Sequence, residues 1–135
     1  MNLFISILVF MACSVPVLLA QNPAQEAAHY PIVDIPIPGD IVLEVGGIEI
    51  LPGKRIAVSS RRGDIYIVEG AYTDDPDDDQ WTPWATGLHE VLGIAWKDGW
   101  LYATQRPEVT RMKDQDGDWR ADVFESVSSA WGING

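Results

Sequence analysis

From Ile41 onward the chain runs in short apolar stretches separated by turn residues. Ile41-Val42-Leu43-Glu44-Val45 comes first, and Gly46-Gly47 reads as a break. Ile48-Glu49-Ile50-Leu51 alternates, and Pro52-Gly53-Lys54 turns into Arg55-Ile56-Ala57-Val58-Ser59-Ser60. After Arg61-Arg62-Gly63 comes Asp64-Ile65-Tyr66-Ile67-Val68, rich in β-branched and aromatic residues. Gln80-Trp81-Thr82-Pro83-Trp84-Ala85-Thr86 suits an edge strand, because Pro83 has no N–H for an inner ladder. Short runs bounded by Gly, Pro and Asp predict strands rather than helices.

The pattern then repeats. Val91–Trp96, Trp100–Thr104, Val109–Met112 and 121–127 are the next strands, with turns at Lys97-Asp98-Gly99 and Arg106-Pro107-Glu108. Arg55–Arg61 aligns with Trp100–Arg106, 45 residues further on (61 to 106). A repeat of about 40–45 residues with four strands per unit is the signature of a β-propeller blade. The expected fold is therefore all-β: antiparallel four-stranded blades of an incomplete propeller over 41–135. A small antiparallel sandwich with recurring hairpins is the competing arrangement. Two blades would leave an apolar face and an unpaired edge, so the sequence reads as the N-terminal part of a longer propeller.

Residues 2–20 are almost wholly apolar and read as an export signal cut after Ala20. No Lys or Arg precedes the run and Leu18 stands where a small residue is usual, so an uncleaved membrane anchor stays open. Lipid attachment at Cys13 is a minor alternative. The expected location is periplasmic or extracellular, with no membrane insertion of the mature domain. Residues 21–40 form a Pro-rich lead-in arm in which Pro31–Gly39 is extended.

Cys13 is the sole cysteine, which excludes a disulfide framework, a Cys-ligated zinc site and a c-type haem within these residues. The net charge is −11, which repels nucleic acid and favours divalent cations. Asp74-Asp75-Pro76-Asp77-Asp78-Asp79 lacks ligand spacing and reads as a solvated turn.

The chemistry-bearing stretch is Asp114-Gln115-Asp116-Gly117-Asp118-Trp119-Arg120-Ala121-Asp122. Asp114, Asp116, Asp118, the Arg120 carbonyl and Asp122 stand at alternate positions and make an all-oxygen set suited to calcium. Gly117 lets the chain curl. A helix–loop–helix calcium site would need Gly where Trp119 stands and a helix before the loop. The ion's expected role is structural. His89, beside Glu90, is the one candidate general base in the β-region. A loop histidine bonded to backbone is the plainer alternative. Arg61, Arg62 and Arg106 recur at equivalent turns, as anion contacts or as partners of nearby acids. The six tryptophans suit packing between blades, or sugar stacking.

Arg55–Val68 resembles the first-blade pattern of the glucose/sorbosone dehydrogenases, exported six-bladed propellers that use pyrroloquinoline quinone (PQQ). Gly87–Trp96 looks like that family's Leu-Gly-Ile-Ala strand after a cofactor-facing turn, and 41–135 is most similar to its environmental-bacterial, membrane-bound branch. The resemblance implies oxidation of a sugar or other alcohol by PQQ at the propeller axis, aided by calcium. The family's His base and Arg contacts belong largely to blades not present here. A non-catalytic secreted propeller that binds carbohydrate or a protein partner is the alternative.

Overall fold

Each predicted turn is a chain reversal in the computed structural model, which describes residues 23–73 and 75–131. The chain divides between Ile32 and Val33 into two units. In the first, α1 (Pro23–His29) is a short helix, where the sequence predicts only an arm. Pro23 suits a helix start, where its missing N–H has no partner to lose. The predicted export segment, 1–20, lies outside the described residues.

The second unit holds eight strands: β1 (Val45–Leu51), β2 (Arg55–Ser60), β3 (Ile65–Glu69), β4 (Gln80–Ala85), β5 (Gly93–Lys97), β6 (Trp100–Thr104), β7 (Val109–Lys113) and β8 (Val123–Ser128). They form two four-stranded antiparallel sheets in sequential order, β1-β2-β3-β4 and β5-β6-β7-β8. This is the all-β, blade-like meander that the repeat predicts. The repeat also holds in register. Ile50 pairs with Ile56 as Trp96 pairs with Leu101, and Ile48 with Val58 as Ile94 with Ala103.

A second element differs from its prediction. Gly46-Gly47 is not a break: β1 runs through both glycines, with a register shift between Val45 and Gly47. Residues 41–44 are not strand. The glycines are there for close approach. A Cβ on Gly46 would lie 1.9 Å from the Val91 carbonyl oxygen, and one on Gly47 would lie 3.1 Å from the Ile94 nitrogen. The inner strands β1 and β5 thus meet backbone to backbone.

Between the sheets lies one core: Leu51, Ala57, Ile65, Ile67, Trp84 and Ala85 from the first, Leu101, Ala103 and Met112 from the second, with Val91 between them. Each large side chain buried here contributes about 1.5–3 kcal/mol of hydrophobic free energy. Outer hydrogen bonds lock the pair: Leu88 N donates to Gly63 O (2.9 Å) and Ala121 N to Trp84 O (2.8 Å).

Antiparallel order fixes where the loops go. The β2–β3, β4–β5 and β6–β7 connections emerge at one end of the strands; the β1–β2, β3–β4, β5–β6 and β7–β8 connections emerge at the other.

Candidate functional site

The two candidate sites therefore fall at opposite ends. The acidic loop 114–122 joins β7 to β8, and His89 with Arg61, Arg62 and Arg106 lies among the loops of the other end. Strands flank the acidic loop on both sides, so the helix–loop–helix arrangement does not apply.

The loop is built from its own carboxylates. Asp114 accepts hydrogen bonds from Gly117 N (2.7 Å) and Trp119 N (3.0 Å). Asp122 accepts from Gln115 N (2.8 Å), Asp116 from Asp118 N (3.1 Å), and Asp118 from Arg120 N (2.9 Å). Asp114, Asp116 and Asp118 reach amides two to five residues on and Asp122 reaches back seven to Gln115, which curls the chain. Gly117 (φ 84°) and Trp119 (φ 67°) take left-handed conformations, a strained one for the tryptophan. Oxygens of Asp114, Asp116 and Asp122 come within 4.8 Å of one another. Asp118 falls outside this trio. Three converging carboxylate oxygens are a hard, anionic donor set of the kind calcium prefers.

Trp119 also reaches the other sheet. Its ring lies 3.8 Å from the Arg55 guanidinium carbon, and Arg55 Nε donates to Glu69 at 2.8 Å. Ring and guanidinium close a cleft of about 180 Å³ whose walls include Leu51, Ile67, Trp84, Trp96 and Leu101. At 36% exposure, Trp119 is a partly covered lid rather than a free platform. Arg55→Ala and Trp119→Ala are each expected to lower stability by about 1–2 kcal/mol, with the double mutant costing less than the sum. Urea unfolding of the four proteins in a double-mutant cycle measures the coupling.

At the other end the cations are largely committed. Arg62 pairs with Glu44 (3.1 Å) and Arg106 with Glu90 (3.5 Å), the plainer of the two roles expected for them. Arg61 donates its backbone N–H to Glu44 O. His89 is exposed; its backbone N–H donates to Gln105 Oε1 (2.6 Å) and its carbonyl accepts from Arg106 N (3.0 Å). These are backbone contacts, and they position the loop rather than the imidazole.

Those contacts belong to a relay that sequence reasoning misses. Buried Gln105 passes a hydrogen bond from Nε2 to Thr110 Oγ1, and Thr110 donates to Glu108 Oε1. The relay ties the β4–β5 loop to the β6–β7 turn. Its one visible sign is polarity at Gln105 and Thr110, where the strand pattern leads into the interior. Thr110 first, and Ser126 second, hold the Glu108 carboxyl below the usual carboxylate range. The stabilisation is then complete above the ordinary carboxylate pKa and is lost as pH falls through the lowered value. Glu108→Gln is expected to be less stable than the parent at neutral pH, with the gap closing below about pH 4. Thermal melts across that range test it.

No family model matches the sequence, and no curated protein matches it. Among solved structures, a Thermus thermophilus chain provisionally named an oxidoreductase (glucose dehydrogenase) is similar to this one. Its TM-score is 0.48 at 17% identity, and the likeness covers 62% of this chain and 28% of that chain.

Proposed function

We propose that this chain supplies two blades of an exported, quinoprotein-like sugar or alcohol dehydrogenase propeller, with a structural calcium ion in the 114–122 loop. The observation that carries the reading is the pair of sequential meanders meeting at their inner strands, in a sequence whose Arg55–Val68 resembles the first blade of the glucose/sorbosone dehydrogenases. Such an arrangement sets β1 and β5 along a wall, with the 86–92 and 105–108 loops at one rim.

The residues present fit the two cofactors unequally. The convergence of Asp114, Asp116 and Asp122 supports calcium. The ion would draw these carboxylates together, offset their repulsion and fix the loop beneath Trp119; a shell filled by carboxylates leaves little room for catalysis. The fit to PQQ is poor within this chain. Arg62 and Arg106 are already paired to acids. A quinone carboxylate would have to displace Glu44 or Glu90 at those two, which leaves Arg61, engaged through its backbone N–H, as the remaining cation of this rim among the described residues. His89, exposed in the 86–92 loop, is taken as the candidate base for a bound alcohol.

The test is dye reduction by the full-length protein loaded with PQQ and calcium, against a panel of sugars and simple alcohols. Turnover that falls at least tenfold in His89→Gln supports the reading, at about the lower end of what a general base contributes. Absence of quinone binding and of turnover would leave a non-catalytic propeller that binds carbohydrate or a protein.

A further inference from the structure

The cleft under Trp119 lies at the end of the strands opposite His89 and takes no part in the chemistry proposed above. Leu51, Ile67, Trp84 and Leu101, each less than a tenth exposed, form its walls, with Trp96 beside them. Trp119 covers the mouth. Its backbone N–H is held by Asp114 (3.0 Å), and its ring lies 3.8 Å from the Arg55 guanidinium carbon. An apolar cavity of about 150 Å³ stays dry and takes up one benzene ring. This cleft, at about 180 Å³, is slightly larger and is walled by the same kind of side chain.

One wall carries a polar group without a partner. Trp81 and Trp131 donate their indole N–H groups to Pro36 O (3.0 Å) and Arg106 O (2.9 Å). The indole N–H of Trp84 has no acceptor among the described residues, although Trp84 is only 6% exposed. A buried tryptophan N–H ordinarily finds one. Among the described residues no buried side-chain nitrogen is sealed off without a partner, so this N–H faces an opening. Trp84 borders two: the cleft, and a groove along its own strand beside Arg120 and Phe124. Trp84 belongs to one packed cluster with Leu51, Ile67 and Leu101, which wall the cleft and not the groove. The N–H therefore opens into the cleft.

We propose that this cleft binds a small neutral aromatic molecule: one ring, with a carbonyl or similar oxygen that accepts the Trp84 N–H. An indole N–H donates and does not accept, so the matching group is an acceptor. A single ring is the size that fits, since pockets for drug-sized molecules run to roughly 300–1,000 Å³. A sugar ring carries hydroxyls on every side, and walls such as Leu51, Ile67 and Leu101 would leave them unpaired. The charged groups at the mouth are already engaged. Arg55 Nε donates to Glu69 (2.8 Å), and Asp114 accepts from Gly117 N (2.7 Å) and Trp119 N. A neutral ligand therefore suits the cleft better than an ion. The site is independent of His89 and of any quinone.

The test uses acetophenone and α-methylstyrene, which differ by a carbonyl oxygen against a methylene group. Each is titrated into isotope-labelled full-length protein, in chelator and again in calcium, while the indole N–H resonances are followed by NMR. No quinone is present, so the result is separate from turnover. Both rings are expected to move the resonances of Trp84, Trp96 and Trp119 and to leave Trp81 in place. Trp84→Phe keeps an aromatic ring but no donor. It is expected to weaken acetophenone by about threefold to tenfold, the worth of one neutral hydrogen bond, and to leave α-methylstyrene within about twofold. Trp119→Ala is expected to weaken both by about threefold or more. Equal effects of Trp84→Phe on the two ligands overturn the proposal. So does glucose moving the same resonances with higher affinity than either ring, or no shift at the three indoles in both metal conditions. Where Trp84→Phe does not fold, contacts in the parent decide: acetophenone protons close to the Trp84 N–H support the site, and contacts only elsewhere overturn it.

Discussion

Gly46→Val is expected to undock the two sheets, at a cost of more than about 3 kcal/mol. Added carbon at this position would overlap the Val91 carbonyl oxygen, with Leu92 Cα just behind it. Both obstacles are backbone, so no rotamer change relieves the clash. Either β1 withdraws from β5, opening the core around Leu51 and Val91, or the 91–92 segment moves and loses the Leu92 N–H bond to Thr104 O. Gly39→Ala is the matched control: nothing lies within 4 Å of its Cβ position. Urea denaturation read by tryptophan fluorescence should show the first variant strongly destabilised and the control near the parent. A Gly46→Val protein with the parent's midpoint would contradict the close approach of the inner strands.

Calcium at about a hundredfold above its dissociation constant is expected to add about 2.7 kcal/mol to stability, provided the unfolded chain does not bind it. For a unit of this size that corresponds to a melting shift of roughly 10–20 °C. The effect should vanish in Asp122→Asn. Asp122 has two tasks: it lends an oxygen to the trio and accepts the Gln115 N–H at 2.8 Å. The variant should therefore melt slightly lower even in chelator, and then ignore added calcium. Terbium reports occupancy independently, because Trp119 lies within the loop as an energy donor. Equal melting curves with calcium and with chelator, and no terbium emission, would return the loop to a hydrogen-bonded acidic turn.

The strands were legible because their signals are local. Ile65-Tyr66-Ile67-Val68 between Gly63 and the acidic turn suits a β-strand whatever surrounds it, and β3 runs from Ile65 to Glu69. The same holds for Trp100–Thr104. Gly46-Gly47 misled for a physical reason. A glycine pair breaks a strand when backbone entropy decides, and sits inside one when a neighbouring strand comes too close for a side chain. Only the packing of β5 distinguishes these cases. The helix α1 was hidden in a similar way, since prolines on either side of Ala24–Ala28 suggest extended chain throughout.

The candidate sites divide along the same line. Alternate aspartates at 114, 116, 118 and 122 made the acidic loop conspicuous, because spacing along a tight turn is itself local geometry. Which three converge is decided by how the loop closes, and the cap that Trp119 places on the Arg55–Glu69 pair joins segments far apart in the chain. The Gln105–Thr110–Glu108 relay had no motif, because buried polar side chains are recognised by their partners.

By itself, then, the sequence determined an all-β chain of repeated four-stranded units with one acidic loop, since side-chain alternation, β-branching and turn residues act over a few positions. The tertiary structure alone decided that the glycines of β1 seat the inner strand of the next sheet. It also decided that the acidic loop and His89 lie at opposite ends of the strands. Those facts arise from contacts between one repeat and the next, which a one-dimensional pattern does not encode.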